Sequence, residues 1–141
     1  MVCTGNICRS PVAEMRLRQL LPEVAVRSAG LGALAGHDID PETARAARDA
    51  GVALTPHSAR QFDESIGRAA SLILVMEDHH RAQIMEGWPP FLGKTFLLGQ
   101  FENAKQIPDP YRRESAVHRH AVAEILRSLE YWKTEIAAML G

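Results

Sequence analysis

The feature that most constrains this chain stands at its start: Val2-Cys3-Thr4-Gly5-Asn6-Ile7-Cys8-Arg9-Ser10-Pro11. A short apolar lead reaches Cys3, and Gly5 allows a tight turn. Ser10-Pro11 then predicts a helix start, with Ser10 as N-cap and Pro11 at the first helical position. The chain therefore arcs from a cysteine to an arginine at the mouth of a helix. In such an arc the backbone N–H groups of residues Thr4, Gly5, Asn6, Ile7, Cys8, Arg9 and Ser10 converge on one point, where the helix N-terminus adds partial positive charge. The expected product is an anion cradle. A thiol at its rim ionises more readily than a free cysteine, and Arg9 offers a planar fork matched to phosphate oxygens. A nucleophile beside an oxyanion clamp points to attack on a bound phosphate ester.

The rest of the composition narrows the class. A length of 141 residues fits one domain, 1–141, with a real core, and the net charge of −1 argues against a nucleic-acid binder that works by bulk electrostatics. No apolar run approaches membrane-spanning length and no leader precedes the loop, so a cytoplasmic, monomeric protein without membrane insertion is expected. Both cysteines, Cys3 and Cys8, lie in the loop, which rules out a disulfide framework. The histidines at 37, 57, 79, 80, 118 and 120 lack paired metal-ligand spacing. His118 and His120 fall on a predicted helix, where neighbours two apart face different ways. Neither a metal nor a cofactor is expected.

Read in order, the chain alternates. A helix is predicted from Pro11 to about Leu21, with Ala13, Leu17, Leu20 and Leu21 as its stripe and Pro22 as its stop. Val24-Ala25-Val26 predicts a short strand, followed by a Gly/Ala-rich loop over 30–39. Asp40 caps the next helix, with Pro41 at its first position and Gly51 as terminator. Residues 57–61 are a polar connection, and Asp63 caps a short helix. The apolar run from Ser71 to Met76 predicts a strand buried on both faces. A helix, a loop with Pro89-Pro90 and a strand at 95–98 follow. After Ile107-Pro108-Asp109-Pro110-Tyr111 comes a long helix over 115–140, with Val117, Ala121, Ile125, Leu129, Trp132 and Ile136 on one face. This alternation predicts an α/β doubly wound domain with its site beyond the carboxyl ends of the strands, where the opening loop lies.

The run C-x-G-N-x-C-R-S, followed by a helix in register, resembles the phosphate-binding signature of the low-molecular-weight protein tyrosine phosphatases. The resemblance covers essentially the whole chain and implies about four parallel strands with helices on both faces. It implies Cys3 as the nucleophile, Arg9 as the phosphate clamp, and a protein phosphotyrosine as substrate. A tyrosine leaving group needs a proton as it departs. The prolines flanking Asp109 restrict its backbone, and an Asp-Pro step alone reads as a turn. The resemblance makes Asp109 the general acid and later base, because the family's acid lies in a D-P-Y loop. It also implies that Asn6, Ser28 and His57 brace the loop and that the Ser10 hydroxyl steadies the Cys3 sulfur. Asn6 doubles as a residue tolerant of left-handed backbone. Cys8 is either packing or a partner that traps oxidised Cys3 as a disulfide. Leu34 and Tyr111 are the expected pocket walls. Leu34 and Arg112, standing where animal members place aromatics, resemble the bacterial branch associated with exopolysaccharide and capsule tyrosine kinases.

One departure stands out. Family members carry a longer apolar stretch before the signature, whereas only Met1 and Val2 precede Cys3. Either the chain is cut short, or its start is placed late, or the first strand is a stub, and a strand this short is expected to leave its neighbours' backbone groups without partners. Two other functions compete. An arsenate reductase of the same fold would need further cysteines to relay electrons, and none follows Cys8. A catalytically inactive phosphate-binding module would have no use for Cys3, Arg9 and Asp109 together. Should Asp109 be only a turn residue, Glu77 and Asp78 are the next candidates for the acid.

Overall fold

A computed structural model describes residues 1–141. Four short parallel strands, β1 (Val2–Cys3), β2 (Ala29–Gly30), β3 (Ile73–Val75) and β4 (Thr95–Leu97), form one sheet in the order β2-β1-β3-β4. Side chains alternate across it. Cys3, Leu74 and Met76 join one core cluster with Leu17 of α1 (Arg9–Leu20), Ala47 of α2 (Pro41–Asp49) and Ile125 of α5 (Ser115–Leu140). Val2, Ile73, Val75 and Leu97 join a second cluster on the opposite face, with Ile84 of α4 (Asp78–Gly87) and with Phe62 and Phe91. The period of two explains why β3 reads as an uninterrupted apolar run: both faces are covered. The chain leaves β1 in one direction for β2 and in the other for β3 and β4. The loops after β1 and β3 therefore open at the switch point of the sheet. No helix is long and apolar enough to cross a membrane.

The helix ends follow the capping residues. Asp40 accepts from the N–H groups of Glu42 and Thr43, with Pro41 beside it, and Gly51 adopts a φ of 89° just past the end of α2. Asp63 accepts from Ile66 N–H to start α3 (Glu64–Ala69). On α5, the expected positions 121, 125, 129, 132 and 136 are buried, while Val117 is half-buried.

Four expectations need correction. The helix after the loop starts at Arg9, and its N-cap is Cys8, which makes no side-chain cap bond. Ser10 is thus inside the first turn, because its hydroxyl is used within the site. The narrow stripe expected for α1 is too small: Val12 and Met15 are also buried, since this helix packs between β1 and α5. Pro89-Pro90 opens a 3-10 turn over Pro89–Lys94 that buries Phe91. Finally, Val24–Val26 is not a strand. The register pairs Val2 with Ala29, so β1 presents no residue opposite residues 24–26. The Val26 carbonyl instead accepts from Nε and NH2 of Arg18, at 3.1 and 2.8 Å. β1 is the two-residue stub that the sequence suggests.

Candidate active site

The loop from Thr4 to Cys8 is shaped by what holds its carbonyls. Five successive carbonyls, Cys3 through Ile7, each accept from a donor outside the loop. These are the N–H groups of Leu31, Gly32 and Leu34, then His57 Nε2, then Asp40 N–H, at 2.7–3.0 Å. A trans peptide points its N–H opposite its C=O. With the carbonyls turned outward, the N–H groups of residues 4–8 face the inside of the arc, as an anion cradle requires. Gly30 permits the close approach this needs, because a Cβ there would stand 2.3 Å from the Thr4 carbonyl oxygen. The left-handed residue of the loop is Asn6, with φ 58°, while a Cβ at Gly5 would meet nothing nearer than 3.6 Å. The expected turn at Gly5 is thus made one residue later.

Asn6 is fully buried and its side chain is fully used. Its Nδ2 donates to Ser10 Oγ at 2.8 Å and to Ser28 Oγ at 2.9 Å, and its Oδ1 accepts from Arg60 N–H. Ser28 in turn donates to Glu14 Oε1. Since Ser10 Oγ accepts from Asn6, its own hydrogen is free for Cys3 Sγ, 2.9 Å away. The structure therefore brings together Cys3, Ser10, Asn6, Ser28 and His57. It adds Glu14 and Arg60, which no motif signalled. Cys8 lies beside them, buried, and burial pushes its thiol up to about 12. It stays protonated at neutral pH.

Arg9 crosses beneath the loop with its side chain almost wholly buried. One terminal nitrogen, NH1, donates to Glu77 Oε1 at 2.5 Å and to the Ile107 carbonyl at 2.7 Å. The opposite edge is different. NH2 lies 3.7 Å from Asp109 Oδ2, and the buried Nε makes no hydrogen bond within the protein. That Nε–NH2 edge is the one through which a guanidinium takes an anion bidentately. Burial alone would raise the Glu77 carboxyl, but the Arg9 bond and charge, helped by His79, outweigh it and hold it below its usual value. Glu77, which sequence reasoning held in reserve as an acid, is thereby committed as the anchor of Arg9. Asp109 is 45 % exposed at the rim, with its Oδ1 accepting from Tyr111 N–H.

His80 is a further residue that sequence reasoning missed. It is fully buried, and its Nδ1 accepts from Glu77 N–H, which leaves Nε2–H to donate to Thr4 Oγ1 at 2.8 Å. Burial first, then the charges of Arg9 and His79, lower its pKa to about 3, so it is neutral at physiological pH. The only sequence signal was its position three residues beyond Glu77, where it closes the first turn of α4. The mouth is apolar: Ile7, Cys8 and Ala59 form a small cluster against which Leu34 and Tyr111 pack. Arg112, at φ 61°, stacks its guanidinium 5.2 Å from the Tyr111 ring centre.

The family profile of the low molecular weight phosphotyrosine protein phosphatases matches residues 1–140. The chain belongs to that family. It is 41% identical, over 97% of its length and 93% of the relative's, to the low molecular weight protein-tyrosine-phosphatase Etp of Escherichia coli K12. The crystal structure of the tyrosine phosphatase Wzb from Escherichia coli K30, in complex with sulphate, superposes with a TM-score of 0.93 at 38% identity, covering 96% of this chain and 94% of that one. The YwlE arginine phosphatase from Geobacillus stearothermophilus is similar at 30% identity and TM-score 0.89, covering 98% and 91%. The four-stranded parallel fold of the phosphatase is thus that of its relatives.

Proposed function

We propose that Cys3, Arg9 and Asp109 carry the family's phosphotyrosine hydrolysis in this chain, through a cysteinyl-phosphate intermediate. The observation that carries the reading is the pairing of inward-facing loop amides with the free Nε–NH2 edge of a buried arginine. Together they match the three charged oxygens of a phosphoryl group in transfer. Cys3 Sγ attacks phosphorus as the bond to the tyrosine oxygen breaks, and Asp109 gives that oxygen its proton. Asp109 then takes a proton from the water that attacks the phosphocysteine, while the Ser10 hydroxyl stabilises the departing sulfur. The apolar mouth formed by Leu34, Tyr111 and Ile7 suits a phenyl ring. Arginine phosphatase activity, which the Geobacillus stearothermophilus relative is named for, would place a charged guanidinium against the same apolar wall.

The protein substrate we propose is a cytoplasmic tyrosine kinase of bacterial polysaccharide synthesis or export. Leu34 and Arg112 support that assignment as positions of resemblance to the bacterial branch. The test is turnover of a phosphotyrosine peptide and a phosphoarginine peptide in EDTA, with vanadate as competitor. Vanadate-sensitive cleavage of the phosphotyrosine peptide is expected, at least tenfold faster than cleavage of phosphoarginine. The reverse order would overturn the substrate class.

A further inference from the structure

We propose that Cys8, Asp40 and His118 form a site for a borderline divalent cation, zinc in chemical class, immediately behind the phosphate loop. The sequence does not show it, because the three residues come from the loop, the N-cap of α2 and the first turn of α5. In the fold, Sγ of Cys8, a carboxylate oxygen of Asp40 and a ring nitrogen of His118 all lie within 4.8 Å of one another. His118 Nδ1 and Asp40 Oδ2 are 3.8 Å apart. Ligand atoms about 2.0–2.3 Å from a tetrahedral zinc are separated from each other by about 3.3–3.6 Å, so the set closes on an ion by an inward movement of up to about 1.5 Å. Thiolate, imidazole and carboxylate are the donors zinc takes, and the mixture is unsuited to magnesium or calcium.

Thr43 is the present partner of the histidine. Its Oγ1 hydrogen-bonds His118 Nδ1 at 2.7 Å, so an ion taken by that nitrogen replaces this bond and the hydroxyl moves aside. Cys8, Thr43 and His118 are buried, whereas the Asp40 side chain is 17% exposed and gives the ion a way in. Binding displaces the Cys8 thiol proton to solvent and leaves a metal thiolate; nothing is oxidised or reduced. Asp40 Oδ2, the oxygen 3.8 Å from His118, already accepts from the N–H groups of Glu42 and Thr43, so Asp40 ligates without giving up its cap by bringing Oδ1 to the ion. Cys8 adjoins Arg9, and the neighbouring Ile7 carbonyl is held by Asp40 N–H at 2.8 Å. Drawing Cys8 towards Asp40 therefore disturbs the loop, and the ion acts as an inhibitor from behind the substrate pocket. The other cluster of possible ligands, Glu77, His79 and His80, has no sulfur.

That difference supplies the test. The chain has two cysteines, so in Cys3→Ser the only thiol is Cys8. Titration of this variant with cobalt(II) is expected to give a near-ultraviolet thiolate-to-cobalt charge-transfer band together with tetrahedral visible bands, at one ion per chain. Asp40→Asn, which retains a good N-cap, and His118→Gln, each in the Cys3→Ser background, should weaken cobalt binding at least tenfold. No charge-transfer band at saturating cobalt would overturn the site, as would a band with unchanged affinity in both variants. With Cys3 intact, Asp40→Asn should also need at least tenfold more zinc for half-inhibition of aryl-phosphate turnover. Equal zinc sensitivity would overturn the link to activity. The cobalt titration does not depend on the phosphatase mechanism.

Discussion

Arg9 shows how one side chain is divided between structure and chemistry. One end of its guanidinium is spent on Glu77 and the Ile107 carbonyl, and the Nε–NH2 edge remains. Arg9→Lys supplies a point charge that cannot serve both ends. Turnover should fall by more than 10²-fold, the scale of losing a donor aimed at an oxyanion, and vanadate should inhibit less well. Unchanged vanadate inhibition would remove Arg9 from the clamp. Asp109 is tested by the leaving group. Asp109→Asn should slow single-turnover phosphorylation of the enzyme by phosphotyrosine by about 10²–10⁴-fold. With nitrophenyl phosphate the loss should be smaller, because nitrophenolate departs without a proton. Steady-state rates would blur the contrast, since both substrates share the later hydrolysis step. An equal slowing of both single-turnover rates would make Asp109 a turn residue and leave the acid unassigned.

At the scale of elements, β1 is the weak member. Val2 pairs with Ala29 on one side and Val75 on the other, so positions ahead of Val2 fall opposite residues 24–28 of one neighbour and 73–74 of the next. Residues 24–26 have the composition of a strand and lack only a partner. Adding about seven apolar-rich residues before Met1 should supply one, by continuing the parallel register. The expected outcome is a higher Tm and slowed amide exchange at Val24–Val26. Equal melting temperatures and unchanged exchange would show that the two-residue strand already suffices. The same element explains the glycine at its neighbour's end: β2 and the loop after β1 run so close that only Gly30 fits.

Across the whole molecule, the site is paid for by a buried neutral histidine. His80 ties Thr4 on the loop to Glu77 on α4, and burial holds its pKa near 3 against 6.5 for an unconstrained imidazole. The unfolded chain therefore binds one more proton than the native state between those values. Stability rises with pH across that window and is lost as pH falls from about 6.5 towards 3. Glu77, whose carboxyl is also depressed, adds to the loss only below its ordinary value of 4.5. The Met1 amino group, lowered by burial from 8.0 to about 6, acts with the same sign between those values, so His80 dominates between about pH 6 and 4.5. Urea unfolding of His80→Gln should show a flatter dependence there than the parent protein. Parallel curves would mean that His80 is not kept neutral by the fold.

What the sequence determined by itself was local. Family resemblance, and not local pattern, singles out Asp109; a dense run of six specified positions, a proline, capping residues and alternating patterns suffice to place the loop, the helices, three of four strands, and Cys3 and Arg9. Each depends on neighbours within a few residues. Tertiary structure decided everything that depends on distant segments meeting. Glu77 anchors Arg9 across 68 residues and His80 reaches Thr4 across 76, and neither pairing leaves a periodic trace. The segment 24–26 reads as a strand and is not one, because a strand exists only where a partner lies in register. Ser10 reads as a cap and instead points at sulfur, because Asn6 and Cys3 compete successfully for its hydroxyl. Cys8, Asp40 and His118 converge only because the loop, α2 and α5 pack together, and parallel strands that end at one edge of the sheet bring such segments to one place.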